Sequence, residues 1–145
     1  MSYLNYFKSK RVVIPGGNGF VGSHIAEQLK KSKCKIFIPK TADGIDFRRR
    51  EDCLAYFSVT KPDIVINCAA IQGGIAYHNG RQADLFLDNM LMGAFLMLAA
   101  QKTGVKKFVN VVAGCSYPGY TEKTELNEED YYRKQLYPLN GGKNN

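Results

Sequence analysis

The sequence predicts an α/β domain built on a parallel sheet that helices cover on both faces. Short, almost continuous apolar runs alternate along the chain with longer segments of helical periodicity. Such runs are typical of strands buried on both faces, and the alternation favours parallel strands joined by right-handed crossovers. A chain of 145 residues, 45% apolar and 23% charged, has the size and composition of one globular domain.

The individual elements follow from local periodicity and from proline and glycine positions. Apolar runs predict four strands, at residues 11–15, 35–38, 63–67 and 107–112. Helical spacing predicts three helices, one beginning near residue 21, one at 51–59 and one at about 82–103. The last helix is apolar nearly all round, so one face must pack on the sheet and the other needs a second apolar partner.

Charge and composition exclude several classes of function. The net charge is +7, but lysine and arginine are dispersed, apart from Arg48-Arg49-Arg50, and no nucleic-acid-binding motif accompanies them. The excess is therefore surface charge or serves a ligand that carries phosphate, and we expect no nucleic-acid partner.

Neither a membrane span nor a secretory leader is predicted. The longest apolar run covers residues 90–100, short of the roughly 18 residues that a span needs. The first ten residues lack the apolar core of a signal peptide, so we expect a cytoplasmic protein with no membrane partner. The four cysteines are far apart and form no CxxC pair, which predicts reduced thiols and no metal site.

A glycine-rich turn stands between the first strand and the first helix. Gly16, Gly19 and Gly22 follow the spacing GxxGxxG. Gly16 would permit the tight turn, Gly19 would let the backbone approach a pyrophosphate, and Gly22 would let helix and strand pack closely. The helix N-terminus would offer N–H groups and a positive dipole end to the phosphates, so the turn predicts dinucleotide binding.

Several motifs occur in an order that resembles one enzyme family. They are Gly16-x-x-Gly19-Phe20-Val21-Gly22, Asp46-Phe47, Asn67-Cys68-Ala69-Ala70, Asn89 and Cys115-Ser116-Tyr117-Pro118. Together they resemble the extended short-chain dehydrogenase/reductases, which are NAD(P)-dependent nucleotide-sugar epimerases, dehydratases and reductases with a Rossmann-like sheet. The segment from residue 73 to 90 is similar, more specifically, to the GDP-L-fucose synthase group of that family.

The resemblance implies a role for each matching residue. The pyrophosphate would be lined by Gly16, Asn18, Gly19, Phe20 and Val21, beside the packing glycine Gly22. Lys40 would lie near the adenosine ribose, and Asp46 and Phe47 would border the adenine. The nicotinamide side would be followed by Ala69, Ala70 and Gly73, while Asn89 would brace the active-site strand.

The choice between NADP and NAD stays open on the sequence, with a slight preference for NADP. Lys40 is the first charged residue after the second strand, and a cation there favours the extra phosphate of NADP. Asp43 follows shortly after and could take the ribose hydroxyls of NAD. The synthase group also tends to carry an arginine where this chain has Asn18, which weakens the case for NADP.

The catalytic residues implied by the family are only partly present. No Tyr-xxx-Lys pair follows the last predicted strand, and the position of the catalytic serine is Ala113. Cys115 falls where the synthase group carries an acid/base cysteine, and Ser116 is the nearest hydroxyl, so these two are the candidate catalytic residues. Residues 1–120 are expected to form part of the dinucleotide-binding domain, shortened before its last strands and the C-terminal substrate domain, and 121–145 a loop and irregular tail.

The sequence leaves two functions open. The chain is either the dinucleotide-binding portion of a nucleotide-sugar epimerase/reductase, inactive or weakly active alone, or a non-catalytic module or subunit that needs a partner chain. In both, the shortened sheet would leave the strand at residues 109–112 as an exposed edge, and this edge together with the apolar long helix predicts a homo-oligomer.

Overall fold

The core of the protein is a sheet of four parallel strands in the order β2-β1-β3-β4. The computed structural model describes residues 3–112, and its strands are β1 (Arg11–Val13), β2 (Lys35–Phe37), β3 (Ile64–Asn67) and β4 (Lys107–Asn110). In register, Val12 of β1 lies opposite Ile36 of β2 on one side and Ile64 of β3 on the other. The predicted parallel sheet is therefore confirmed.

Five helices accompany these strands in the described part of the chain. They are α1 (Tyr3–Phe7), α2 (Phe20–Lys30), α3 (Arg50–Thr60), α4 (Ile75–His78) and α5 (Gln82–Lys102), with a 3-10 turn at Thr41–Asp43. The three predicted helices correspond to α2, α3 and α5. The sequence did not predict α1, α4 or the 3-10 turn, since three to five residues are too few to establish a helical period.

Strand β1 is shorter than the apolar run that predicts it. Ile14 still donates its N–H to Phe37 O at 2.9 Å, but Pro15 has no N–H to continue the ladder. Gly17 then donates back to Ile14 O at 2.9 Å, which turns the chain away from the sheet. The end of β1 is thus set by backbone hydrogen bonding rather than by hydrophobicity.

Two apolar layers bury the two faces of the sheet. On one face Val13 and Val65 pack with Phe57 of α3 and Leu96 of α5, all fully buried. The opposite layer joins sheet residues to α2 and consists of Val12, Ile14, Ala26, Leu29, Ile64 and Ile66. Alternate residues of each strand point to opposite layers, which is why the strands read as continuous apolar runs.

Helix α5 buries only one side within the described residues. Leu85, Met92 and Leu96 are buried, whereas Phe86 is 70% exposed on the outer side. By length and composition alone this helix could cross a membrane, contrary to the expectation from the length of its apolar run, but a helix that packs on a sheet can meet the same criterion. The predicted need for a second apolar partner agrees with this exposed face.

Candidate functional site

An open cleft of about 550 Å³ lies at the carboxyl ends of β1 and β3. Helix α2 leaves β1 toward β2, whereas β3 lies on the other side of β1, so the strand order reverses at this point. In open α/β sheets such a switch point is where ligands bind. The lining residues are Gly16, Asn18, Gly19, Pro39, Lys40, Thr41, Ile45, Asp46, Phe47, Arg48, Cys68, Ala69, Ala70, Ile71 and Met92.

Gly16 forms the floor of the cleft, where two loops touch. Its φ of +73° belongs to the left-handed region, which favours glycine. A Cβ at this position would lie 2.6 Å from Ala69 N and from the Cys68 carbonyl, so no side chain fits without displacing the loop after β3. The expectation that this glycine permits the tight turn agrees with its geometry.

The other two motif glycines bring α2 close to that turn. A Cβ on Gly22 would overlap the Gly16 carbonyl oxygen and lie 2.7 Å from Gly17 Cα, so this glycine allows close packing. Gly19 precedes α2 in an extended conformation and no side chain caps the helix. Because the first turn of α2 also lacks acidic residues, its N–H groups and dipole are available to an anion.

The wall opposite the glycine turn follows β2. Lys40 and Thr41 line it, together with Asp46 and Arg48. A side-chain hydrogen bond from Arg48 lowers the pKa of Asp46 below its ordinary 3.8, which favours the carboxylate. Phe47 is partly buried and packs against the core, and its ring centroid lies 6.1 Å from that of Tyr56 in an edge-on arrangement. This wall therefore combines an apolar surface with two cationic side chains.

The third wall is the segment after β3. Ala69 donates its N–H to Asn67 Oδ1 at 3.1 Å, which folds the chain back at the end of the strand. Asn89 of α5 braces the segment further on, since its Oδ1 accepts from Ile71 N at 2.8 Å and its Nδ2 donates to Ile71 O at 3.1 Å. Burial raises the pKa of the Cys68 thiol, so this cleft residue is a neutral apolar contact.

The cleft brings together eight of the predicted cofactor-binding residues. These are Gly16, Asn18, Gly19, Lys40, Asp46, Phe47, Ala69 and Ala70. Gly22 and Asn89 support the cleft from behind. Phe20, Val21 and Gly73 do not line it: Phe20 is 83% exposed with its ring 4.9 Å from that of His24, and Gly73 faces the Tyr77 ring.

Sequence reasoning missed seven of the lining residues. They are Pro39, Thr41, Ile45, Arg48, Cys68, Ile71 and Met92. Most are neighbours of predicted residues, but Met92 comes from α5 and only the packing of that helix on the sheet could reveal it. The catalytic candidates Cys115 and Ser116, together with Ala113 and the expected domain boundary at residue 120, lie outside the described residues.

No metal-binding cluster is found in this part of the chain. Among residues 3–112, no three His, Cys, Asp or Glu side chains come together in a way that could hold a metal ion. The described cysteines Cys34, Cys53 and Cys68 are all free thiols. The donor set at the cleft, with backbone N–H groups, two cations and apolar walls, instead fits a phosphorylated organic molecule such as a dinucleotide.

Fold and cleft define a protein of the nucleotide-cofactor-binding α/β class. Over residues 12–141 the chain matches the NAD dependent epimerase/dehydratase family, and it belongs to that family. This finding confirms the resemblance and the Rossmann-like fold that the motifs predict. It also agrees with the expectation of an NAD or NADP cofactor at the level of the family.

Similar proteins include a curated enzyme and two solved structures. GDP-L-fucose synthase 1 of Arabidopsis thaliana is 33% identical over 133 residues, which are 92% of this chain and 41% of that protein. A GDP-L-fucose synthetase from Naegleria fowleri bound to NADP is 26% identical with a TM-score of 0.71, covering 83% of this chain and 36% of the other. The UDP-glucose 4-epimerase of Thermus thermophilus in complex with NAD is 28% identical, with a TM-score of 0.70, covering 83% of this chain and 43% of the other.

The similarity covers only part of each relative. The chain spans about two fifths of the length of the curated relatives it matches. What it shares with them is the nucleotide-sugar epimerase/reductase type of NAD(P)-binding domain.

Proposed function

We propose that this chain binds NADP in preference to NAD, as the cofactor-binding part of a nucleotide-sugar epimerase/reductase similar to the GDP-L-fucose synthases. The observation that carries the proposal is the junction of Gly16 with Cys68 and Ala69 beside the open N-terminus of α2. A diphosphate can approach bare main chain there, and the cleft extends from this point along two further walls. The cofactor, when bound, supplies the hydride that is exchanged with a sugar carbon.

The charge of the cleft supports NADP. Lys40 and Arg48 line it, and the carboxylate of Asp46, the one acid among its lining residues in the described chain, already pairs with Arg48. Asp43, the acid that could take the ribose hydroxyls of NAD, does not line the cleft. Lys40 would therefore meet the 2′-phosphate of NADP, while Phe47 would border the adenine and Ala69 the nicotinamide side.

Titration of the purified chain with each dinucleotide tests this proposal. Fluorescence energy transfer from the tyrosines to the reduced nicotinamide should saturate at a lower concentration of NADPH than of NADH. Lys40→Met should weaken NADPH binding about tenfold, the size expected for one lost charge-assisted contact, and change NADH binding little. Lys102→Met, at the exposed end of α5, is the matched control. No response to either dinucleotide at millimolar concentration would overturn the proposal.

Catalysis by this chain alone is expected to be slight. Ala113 has no hydroxyl to bind a substrate oxygen, and no Tyr-xxx-Lys pair follows the last strand in the sequence. Cys115 and Ser116 would be the groups left for proton transfer to a nucleotide-sugar substrate. Robust reduction of a 4-keto nucleotide sugar by the purified chain would contradict this expectation.

The same two sequence features favour a second function, a non-catalytic module that completes a partner chain. Affinity capture from cytoplasmic extract, the compartment in which we expect the protein, would recover a partner that carries the missing Tyr-xxx-Lys. If the chain is recovered without any partner and still binds NADP, the first function is favoured.

Self-association is also part of the proposal. The outer side of α5 exposes Phe86, Leu87, Met90 and Met97, each at least half exposed. An apolar stripe of this kind favours burial against a second copy of the chain. Sedimentation should show a dimer that Met90→Lys dissociates, and a monomer at every concentration would contradict it.

A further inference from the structure

Arg48 joins two elements that are 40 residues apart in sequence. Its Nη2 lies 2.8 Å from Asp46 Oδ2 in the turn after β2, and its Nη1 lies 3.1 Å from Asp88 Oδ2 on α5. Its Nε also donates to Asp46 Oδ1 at 3.0 Å, so the guanidinium holds the Asp46 carboxylate with two nitrogens. These three residues, Arg48, Asp46 and Asp88, are here termed the ionic clasp.

The turn that carries the clasp is itself built around Asp46. Its Oδ1 accepts the Arg48 backbone N–H at 2.9 Å and its carbonyl accepts the Arg49 N–H at 2.9 Å. Its own N–H donates to Asp52 Oδ2 at 3.0 Å in the first turn of α3. The local hydrogen bonds thus fix the shape of the turn, and Asp88 adds a bond from that turn to α5.

We infer that Arg48 is a positioning residue that holds the wall of the cleft formed by residues 45–48 against α5, and so presets the cleft for its nucleotide. Asp46 and Arg48 line the cleft, and Met92, one helical turn beyond Asp88, lines it from α5. The clasp therefore connects two walls of the same cleft. This inference rests on the proposed function, because it concerns the cofactor site of that proposal.

The clasp is exposed enough to open. The side chains of Arg48, Asp46 and Asp88 are 44%, 32% and 29% exposed, so water and salt screen their attraction. Such pairs contribute little to global stability. An open clasp would instead reduce the fraction of molecules whose cleft is ready to bind, which weakens apparent affinity in proportion.

Asp88 offers the cleanest test because it does not line the cofactor cleft. In the full chain, Asp88→Asn should weaken NADPH binding about threefold at low salt, and this difference from the wild type should vanish at high salt. Asp88→Glu keeps the carboxylate and should restore most of the affinity. Glu27→Gln, which breaks the exposed pair of Glu27 with Lys30 on α2, is the control and should bind like the wild type.

A double-mutant cycle tests whether Arg48 and Asp88 act as one unit. If Arg48 acts by positioning, Arg48→Met combined with Asp88→Asn should weaken binding no more than Arg48→Met alone. Fully additive losses would overturn the inference. Melting temperatures of all these variants should stay within the range of the Glu27→Gln control.

Amide hydrogen exchange without cofactor completes the test. The N–H groups of Asp46, Arg48 and Arg49 should exchange faster in Asp88→Asn than in the wild type, since the turn is released from α5. Unchanged exchange together with unchanged affinity would overturn the inference, even when the wild type binds NADPH. If the wild type binds no dinucleotide, the proposed function is wrong. The exchange rates in Asp88→Asn then decide independently whether the clasp holds the turn.

Discussion

Asn67, the last residue of β3, donates a hydrogen bond from its Nδ2 to Asn110 Oδ1 at the end of β4, at a distance of 2.8 Å. The two asparagines lie directly opposite each other in the parallel register. Asn67 is buried and its Oδ1 at the same time accepts the Ala69 N–H, so one amide links β4 to the turn that borders the cleft. The conformation of this turn therefore depends on β4 as well as on β3.

Replacing Asn110 tests this link. Asn110→Leu would leave the buried Asn67 Nδ2 without its acceptor, and the free energy of unfolding should fall by about 1–2 kcal/mol. Asn110→Asp keeps an acceptor oxygen and should lose less. Urea denaturation of the three proteins gives the comparison. Equal stabilities for Asn110→Leu and the wild type would show that water or another group replaces the contact.

The glycine of the α2 first turn should be intolerant of any side chain. Because a Cβ on Gly22 would overlap the Gly16 carbonyl, Gly22→Ala should lower the free energy of unfolding by about 1–3 kcal/mol. The control is Gly93→Ala within α5, where nothing lies within 4 Å of the added Cβ. That change should stabilise the protein by about 0.5–1 kcal/mol, as expected for a helix interior. Equal effects of the two would refute the close-packing role of Gly22.

Helix α3 offers a matched pair for its packing on the sheet. Phe57 is fully buried against β1, β3 and α5, so Phe57→Ala should cost about 3–5 kcal/mol. Val59, two residues on, is 79% exposed, and Val59→Ala should change stability by less than about 0.5 kcal/mol. Thermal unfolding of both variants measures the difference. A small effect of Phe57→Ala on stability would show that α3 does not pack on this face of the sheet.

At the end of the sheet where the strands begin, Asp63 predicts a pH dependence of stability. The backbone N–H of Arg11, and then the ammonium of Lys106, hold the pKa of Asp63 below its ordinary 3.8. The bonds are 3.0 Å from Arg11 N to Asp63 Oδ2 and 3.2 Å from Lys106 Nζ to Asp63 Oδ1. Because the folded state lowers this pKa, the stabilisation is full above the ordinary value and is lost as pH falls through the lower folded value.

Asp63→Asn should therefore be less stable than the wild type at neutral pH, and the gap should close in acid below the ordinary pKa of the carboxyl. Lys106→Met should keep most of the wild-type pH dependence, since the Arg11 N–H makes the larger contribution. Urea denaturation across the acidic range measures both. If the difference in stability between Asp63→Asn and the wild type is the same at every pH, the ionisation of Asp63 does not contribute to stability.

Much of this architecture could be predicted from the sequence because its signals are local. The apolar runs indicated four strands and the glycine spacing indicated the tight turn between β1 and α2, since a buried parallel strand and a tight turn each restrict the residue types that fit. The end of β1 was less predictable, because it depends on the hydrogen bond that Gly17 returns to Ile14. Helix α4 has only four residues, and its His78 N–H bonds to Gly74 O, a pattern without apolar periodicity.

The cleft shows where such prediction stops. Gly16 and Ala69 were predicted separately, but their contact depends on the register of β1 beside β3. The ionic contacts of Arg48 could not be predicted, because its partners are an acid two residues away and one 40 residues away. Long-range pairs of this kind leave no trace in local spacing.

The absence of a side chain at Gly16 has a consequence for protein design. The turn after β1 and the turn after β3 are in close contact at Gly16, where a Cβ would lie 2.6 Å from the Cys68–Ala69 peptide. Grafting the glycine turn onto another scaffold would therefore require the Cys68–Ala69 peptide to be transferred with it, because the two segments pack directly on each other at Gly16.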